Sequence, residues 1–410
     1  MNDWTTHRAN LRRIWPFAAG ALTAAMLAGW SIVSIVPSPA RAVGEPVNHT
    51  LPPPPKDGVM GFVIENFVPP VVQGKDACPH GLAPRLKDEF LATLPAEEAA
   101  RLRLKANEKE FAERWHAMAF GPGNETNICS QPEMFSRPPF PGVESRTGWG
   151  LDLNGKASGA DPDGCAHDEF QTPTGEQGID NQEYRAMGCT LEWRGVDGIG
   201  GDNQTGMRQF HASGEWTQLL LLRGVTSFVK ADNVEVIYAN TPDRPTLDSK
   251  GHFLPGMSFS VSDKPPRHRN VLHGRIRNGV LTTDPAEIEL TQTWGQGGAR
   301  DIRGNRSSYH YLKGRLRLEF QPDGSLKGLV GGYRPLIDVI ISPALGGAGS
   351  ALAAGIDCAA ELATLKKYAD GMRDPQSGQC HGISSAMRLS AVPAFVNDVP
   401  KAGAKRETAR

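Results

Sequence analysis

Oxygen donors crowd one stretch of this chain. Between Trp149 and Asn203 it carries Asp152-Leu-Asn154-Gly, Asp161-Pro-Asp163-Gly and Gly178-Ile-Asp180-Asn181. A hard cation such as calcium takes about six to eight oxygens from carboxylates, amide carbonyls and backbone, with glycine allowing the tight turns between them. Asp152, Asn154, Asp161, Asp163, Asp180 and Asn181 supply such ligands at short spacing, and calcium is the cofactor they suit. The same residue types also build tight turns and cap helices with no ion at all. Two readings of the segment therefore stand.

Taken a few residues at a time, the segment is similar to the calcium loops of thrombospondin type 3 repeats and of dockerins. It departs from the full EF-hand series, whose closing Glu it lacks. Three cysteines stand beside histidines, in Cys78-Pro-His80, Cys165-Ala-His167 and Cys380-His381. Converged, such pairs would bind zinc or copper. Covalent haem needs Cys-x-x-Cys-His, but Ser377 stands three residues before Cys380, so no haem is expected.

Catalytic signatures are mostly negative. The chain has no His-Glu-x-x-His, no P-loop and no dinucleotide glycine fingerprint, so no nucleotide cofactor is expected. The lipase-type Gly-x-Ser-x-Gly elbow is missing as well. A glycosidase needs only two carboxylates. Glu215, Glu235, Asp263 and Glu319, on or beside predicted strands, keep that class open.

A basic patch is the remaining candidate. Arg275, Arg277, Lys313, Arg315 and Arg317 fall on the outward parity of two predicted strands, with Arg267, Arg269, Arg300, Arg303 and Arg306 in nearby loops. Neighbouring strands would make of them an anion-binding patch; a solvated face paired to acids is the alternative. Trp294, among loop glycines, is a candidate aromatic contact or a buried ring.

The elements that must position these residues follow a signal for export. Residues 1–42 read as a signal peptide: Arg8, Arg12 and Arg13, an apolar stretch from Phe17 to Val36, then Ala40-Arg-Ala42. The expected location is secreted or periplasmic, with membrane attachment only if the signal stays uncleaved. Lys and Arg number 44 against 45 Asp and Glu; this balance gives no global attraction to nucleic acid. Six cysteines in an exported chain favour disulfides. The expected pairing is sequence-local: Cys78 with Cys129, Cys165 with Cys189, Cys358 with Cys380.

Residues 43–74 are a Pro-rich tether, with Gly61 to Phe67 as an edge strand. Residues 75–148 are helical and loop-rich. Pro95 followed by Glu97 and Glu98 starts a helix, along which Ala100, Leu104, Phe111, Trp115 and Met118 form one apolar stripe. Residues 149–203 form a disulfide-linked joint. Residues 204–345 alternate with strand period, and Asn278-Gly279 is the strongest hairpin signal. Residues 346–400 hold an amphipathic helix from Cys358 and a closing strand from Met387 to Val396, and 401–410 is a charged tail.

Strands at this spacing without intervening helices predict a mainly β protein: an antiparallel β-sandwich, jelly-roll-like, with a helical N-terminal portion and a C-terminal amphipathic helix. The expected function is non-catalytic binding of a cell-envelope ligand or protein, calcium-stabilised if the Asp–Asn–Gly segment holds an ion. The alternatives are an extracytoplasmic glycan hydrolase and a metal or redox partner using the Cys–His pairs.

Overall fold

The computed structural model describes residues 51–74, 76–120, 126–155, 164–195, 202–214, 216–262, 269–291, 308–340 and 355–398, all within the compact unit Ala40–Arg410. The predicted signal, the charged tail, Asp161, Asp163, Glu215, Asp263, Trp294, Arg267, Arg300, Arg303 and Arg306 lie outside the described residues. The strands are β1 (Met60–Val68), β2 (Gln218–Arg223), β3 (Lys230–Asn240), β4 (Met257–Ser260), β5 (Arg269–Arg277), β6 (Val280–Thr283), β7 (Ala286–Thr291), β8 (Ser308–Phe320), β9 (Leu326–Pro335), β10 (Gly371–Arg373) and β11 (Cys380–Asn397).

The sheet order is β1-β2-β3-β5-β6-β8-β9-β11, and β11 pairs back onto β1. Eight antiparallel strands thus close into a barrel, which overturns the predicted sandwich. The closure comes from the two ends of the described chain. Gly61 meets Ala394 and Val68 meets Arg388, while the other edge of β1 pairs with β2. The segment read as an edge strand is therefore a fully paired one. An antiparallel sandwich and an antiparallel barrel share the same strand periodicity; they differ only in whether the outermost strands find each other.

Closure sends the inward parity of every barrel strand into one core. Phe62, Leu220, Val236, Leu272, Leu281, Leu318, Val330 and Leu389, one from each barrel strand, pack there with Phe320, Trp216 and Tyr311. Eight strands leave an interior that side chains can fill, and here they fill it. Asn278 (φ 48°) and Gly279 (φ 80°) turn β5 into β6, because a two-residue hairpin of this hand needs positive φ at both positions.

The helices are α1 (Leu86–Ala92), α2 (Ala96–Leu102), α3 (Glu108–Ala119), α4 (Gln182–Met187), α5 (Leu191–Arg194), α6 (Asp202–Ser213), α7 (Leu336–Ile340) and α8 (Cys358–Tyr368). The single predicted N-terminal stripe is broken. α2 ends at Leu102, a short 3-10 turn covers Lys105–Asn107, and Leu104 is 58% exposed. Immediately after β9 the chain forms α7 (Leu336–Ile340), within the stretch 204–345 expected to hold strands. α6 sets Met207 and His211 against the barrel end where β2 begins and β3 finishes. A second core joins α4, α7 and α8 through Tyr184, Met187, Val339, Leu362 and Leu365.

Three disulfides stitch this helical cap: Cys78–Cys189, Cys129–Cys358 and Cys165–Cys380. The expected local pairing is wrong at every bridge. The bonds span 111, 229 and 215 residues. They link segments that the barrel's closure brings together, which sequence spacing does not reveal.

Candidate functional site

The inward parity of β9 runs Leu326, Gly328, Val330, Gly332 and then Arg334. That last position places a guanidinium inside the capped end of the barrel. Arg334 is fully buried, stacks over the Tyr309 ring at 4.4 Å and donates through Nη1 to Glu183 Oε1 at 2.7 Å. Its Nη2 donates to the Asp338 carbonyl at 3.1 Å. Burial opposes its charge, yet the Glu183 carboxylate and the nearby tyrosines hold its pKa above the usual value.

Glu183 is set by a local cap. Asn181 Oδ1 accepts the Tyr184 amide at 3.1 Å and starts α4, so Glu183 falls in its first turn. Across from it stands α8. Asp357 Oδ1 caps that helix on the amides of Ala359 and Ala360, at 3.1 and 3.0 Å, and Glu361 follows four residues later on the same face. Glu192 of α5 pairs with Arg85 at 3.8 Å.

These groups line a largely enclosed pocket of about 30 Å³ between cap and barrel mouth, walled by Phe140, Met187, Trp193, Tyr309 and Met387. Its lining carries the carboxylates Glu183, Glu192, Asp357 and Glu361 with Arg85, and Arg334 stands behind Glu183, bound to it. Burial, then the like charges of Glu192, Glu183 and Asp357, push Glu361 well above the carboxylate range. Glu89, beside Asp357, is raised to about 8 by burial and by hydrogen bonding and repulsion from Asp357. Glu183 Oε2 is buried with no hydrogen-bond partner among the described residues. A group shifted as Glu361 is, set in a concavity, makes a candidate functional site.

A second cluster lies under the Cys165–Cys380 bridge. His167 Nδ1 meets the Cys165 carbonyl at 3.0 Å and Nε2 meets Asp180 Oδ1 at 2.8 Å. Asp370 Oδ2 stands 3.6 Å from the same Nε2. Both carboxylates are fully buried. Asp180 Oδ2 also accepts the amides of Leu153 and Asn154, at 2.8 and 3.1 Å, and its Oδ1 accepts Asn154 Nδ2 at 3.1 Å. This close approach requires Gly150, where a Cβ would lie 2.3 Å from the Asp180 carbonyl. Burial raises Asp370 to about 6, against the pull of His167 and Ser384. Burial disfavours the His167 cation, but Asp180 and Asp370 raise its pKa overall.

Of the residues expected to bind metal, Asp180 enters this cluster and Asn154 braces it. Asn181 is committed to capping α4 and to the Trp149 carbonyl. Asp152 holds Arg315 through its backbone carbonyl at 2.7 Å. No cysteine is free, so none offers a thiolate. His80 is exposed beside Glu144, and His381 is exposed.

β5 and β8 flank β6, so the predicted basic residues do share an outer face. Arg275 faces Asp284 at 3.4 Å and Arg277 pairs with Asp232. Lys313 is exposed, while Arg315 and Arg317 are half-buried. Glu235 pairs with Arg223 on the outside, and Glu319 is exposed.

Sequence reasoning missed Glu183, Arg334, Asp357, Glu361 and Asp370. Arg334 left a readable trace: it is an arginine on the inward parity of an otherwise apolar strand. Glu361 left another, as an acid among Cys358, Leu362 and Leu365 on the buried face of a helix. No protein-family model, curated protein or solved structure matches the chain. The functional reading therefore rests on the geometry of these residues.

Proposed function

We propose that this is an extracytoplasmic binding protein, without catalytic action of its own, whose cap pocket receives the protonated amine of a small cell-envelope ligand. The observation that carries this reading is the buried carboxylate. Glu183 keeps an unsatisfied oxygen, and burial, then the neighbouring carboxylates, hold Glu361 well above its ordinary range. A cation relieves both. The volume of about 30 Å³ suits one ammonium group, with Trp193 and Tyr309 as aromatic walls for it.

The carboxylates lining the pocket do not draw together as metal ligands do. Among the described residues, only His167, Asp180 and Asp370 group that tightly. This favours a hydrogen-bonding ammonium over a coordinated calcium ion in the pocket. The three disulfides support an oxidising, extracytoplasmic location.

Glycan hydrolysis is the second reading. Glu361, held above its ordinary range by burial and by the carboxylates beside it, has the character of a general acid. The pocket is far smaller than the roughly 300–1,000 Å³ of usual small-molecule sites, which weighs against a sugar ring.

The test is a thermal-shift titration with n-propylamine, using Glu361→Gln as control. A saturable rise in melting temperature, weakened at least tenfold in apparent affinity by the substitution, is expected. An unchanged melting temperature, or an equal response in both proteins, would refute the reading. Turnover of oligosaccharides by the wild type, lost in Glu361→Gln, would transfer the site to the hydrolase reading.

A further inference from the structure

We propose that His167 Nε2, Asp180 Oδ1 and Asp370 Oδ2 form a binding site for a divalent transition metal of the zinc class, separate from the cap pocket. The argument starts from the imidazole. A carbonyl oxygen only accepts, so Nδ1 carries the hydrogen that reaches the Cys165 carbonyl. This fixes Nε2 as the atom facing the two carboxylates. Metal-bound histidines are held in this way, with the far ring N–H on a backbone carbonyl.

A single N–H on Nε2 points at one acceptor, and at 2.8 Å that acceptor is Asp180. Asp370 Oδ2 is then left over: fully buried and 3.6 Å from Nε2, it accepts no hydrogen bond among the described residues. Leaving a buried charged oxygen unmatched is costly. A divalent cation in place of that one proton serves both carboxylates at once.

The spacing fits. Four-coordinate zinc, with bonds of about 2.0–2.1 Å, holds its ligand atoms about 3.3–3.4 Å apart. The observed 2.8 and 3.6 Å bracket that separation, and all three donor atoms lie within 4.8 Å of one another. One imidazole with two carboxylates suits zinc and its neighbours better than calcium or magnesium, which prefer oxygen alone. Three protein ligands leave a fourth position for water.

The surroundings hold the donors in place. Asp180 is fixed by the amides of Leu153 and Asn154. Asp370 Oδ1 accepts the Ser384 amide at 2.6 Å, and the Asp370 carbonyl accepts the Cys165 amide at 2.9 Å. The Cys165–Cys380 bridge and the Cys165 amide thus tie the His167 segment to the one that carries Asp370.

The test titrates zinc chloride into the disulfide-bonded protein after chelator dialysis, by calorimetry and by melting temperature. One zinc per chain and a raised melting temperature are expected. Asp370→Asn keeps a group for the Ser384 amide and removes the unmatched charge. It should lower zinc affinity at least tenfold while leaving the metal-free melting temperature unchanged or higher. No zinc uptake, or equal uptake by Asp370→Asn, would overturn the proposal and assign any binding to surface pairs such as His80 with Glu144. X-ray absorption of the wild-type zinc complex needs no variant. One imidazole among oxygen ligands supports the site; two or more imidazoles contradict it.

Discussion

At the far end of the barrel, Phe228, Phe320, Leu326 and Ile276 meet with hydrocarbon alone. At the capped end the same interior receives Arg334, and above it stand Glu183, Glu361 and Asp357. The first region is stabilised by burial, which is non-directional and rewards any well-packed apolar set. The second buries charge, which is costly unless each group has a partner. A chain that needed only a stable barrel would close both ends alike. The difference marks the capped end as the place where stability gives way to another requirement.

This comparison can be tested by perturbing each region, beginning with the largest expected effect. Removing the Cys129–Cys358 bridge, which spans 229 residues, as Cys129→Ala/Cys358→Ala should lower stability to urea by about 5.5 kcal/mol in the chain-entropy model. The loss should appear first in the cap, read as hydrogen exchange in α8 before exchange in β3. Simultaneous loss of protection in both would show that cap and barrel form one cooperative unit.

Arg334→Met comes next. It strands Glu183 as a buried charge and should cost about 3–5 kcal/mol. The double substitution Arg334→Met/Glu183→Gln should recover much of that, since no unpaired charge then remains. If the double variant is as unstable as the sum of the singles, the pair is not coupled, and the contrast between the two regions loses its electrostatic basis.

A smaller effect belongs to His211, wholly buried at the capped end with Nδ1 on the Met207 carbonyl at 2.8 Å. Burial lowers its pKa from 6.5 to about 4. The unfolded chain then binds the proton more readily, so stability from this residue is complete above pH 6.5. It is lost as pH falls from 6.5 toward 4, by about 3.5 kcal/mol at roughly 1.4 kcal/mol per unit. His211→Phe should remove that part of the acid sensitivity, measured as urea midpoints at pH 7 and pH 4.5.

The strands themselves were legible where local chemistry decides them. Asn278-Gly279 turned as expected, and Leu316, Leu318 and Phe320 face inward. What could not be read was closure, because Gly61 and Ala394 lie more than three hundred residues apart and carry no mark of their pairing. The disulfide partners were hidden for the same reason. In the site, Asp180 was found through its neighbours in sequence. Asp370 and Glu361 were not, since each meets its partners only after β11 and α8 return across the barrel mouth. Within the Asp–Asn–Gly segment, Asn181 follows the second of the two readings and caps a helix, since capping needs the same short polar side chain that metal binding does.

The pocket's carboxylates are the centre of the proposed function, and their capacity for a cation should be visible directly. Calorimetric titration of n-propylamine at pH 7, in two buffers of different ionisation enthalpy, reads both occupancy and protons released. One site per chain is expected, with proton release on binding, as the ammonium takes the place of the proton on Glu361. An absence of saturable binding, or heats that do not depend on the buffer, would contradict the claim that the cap pocket is a cation site.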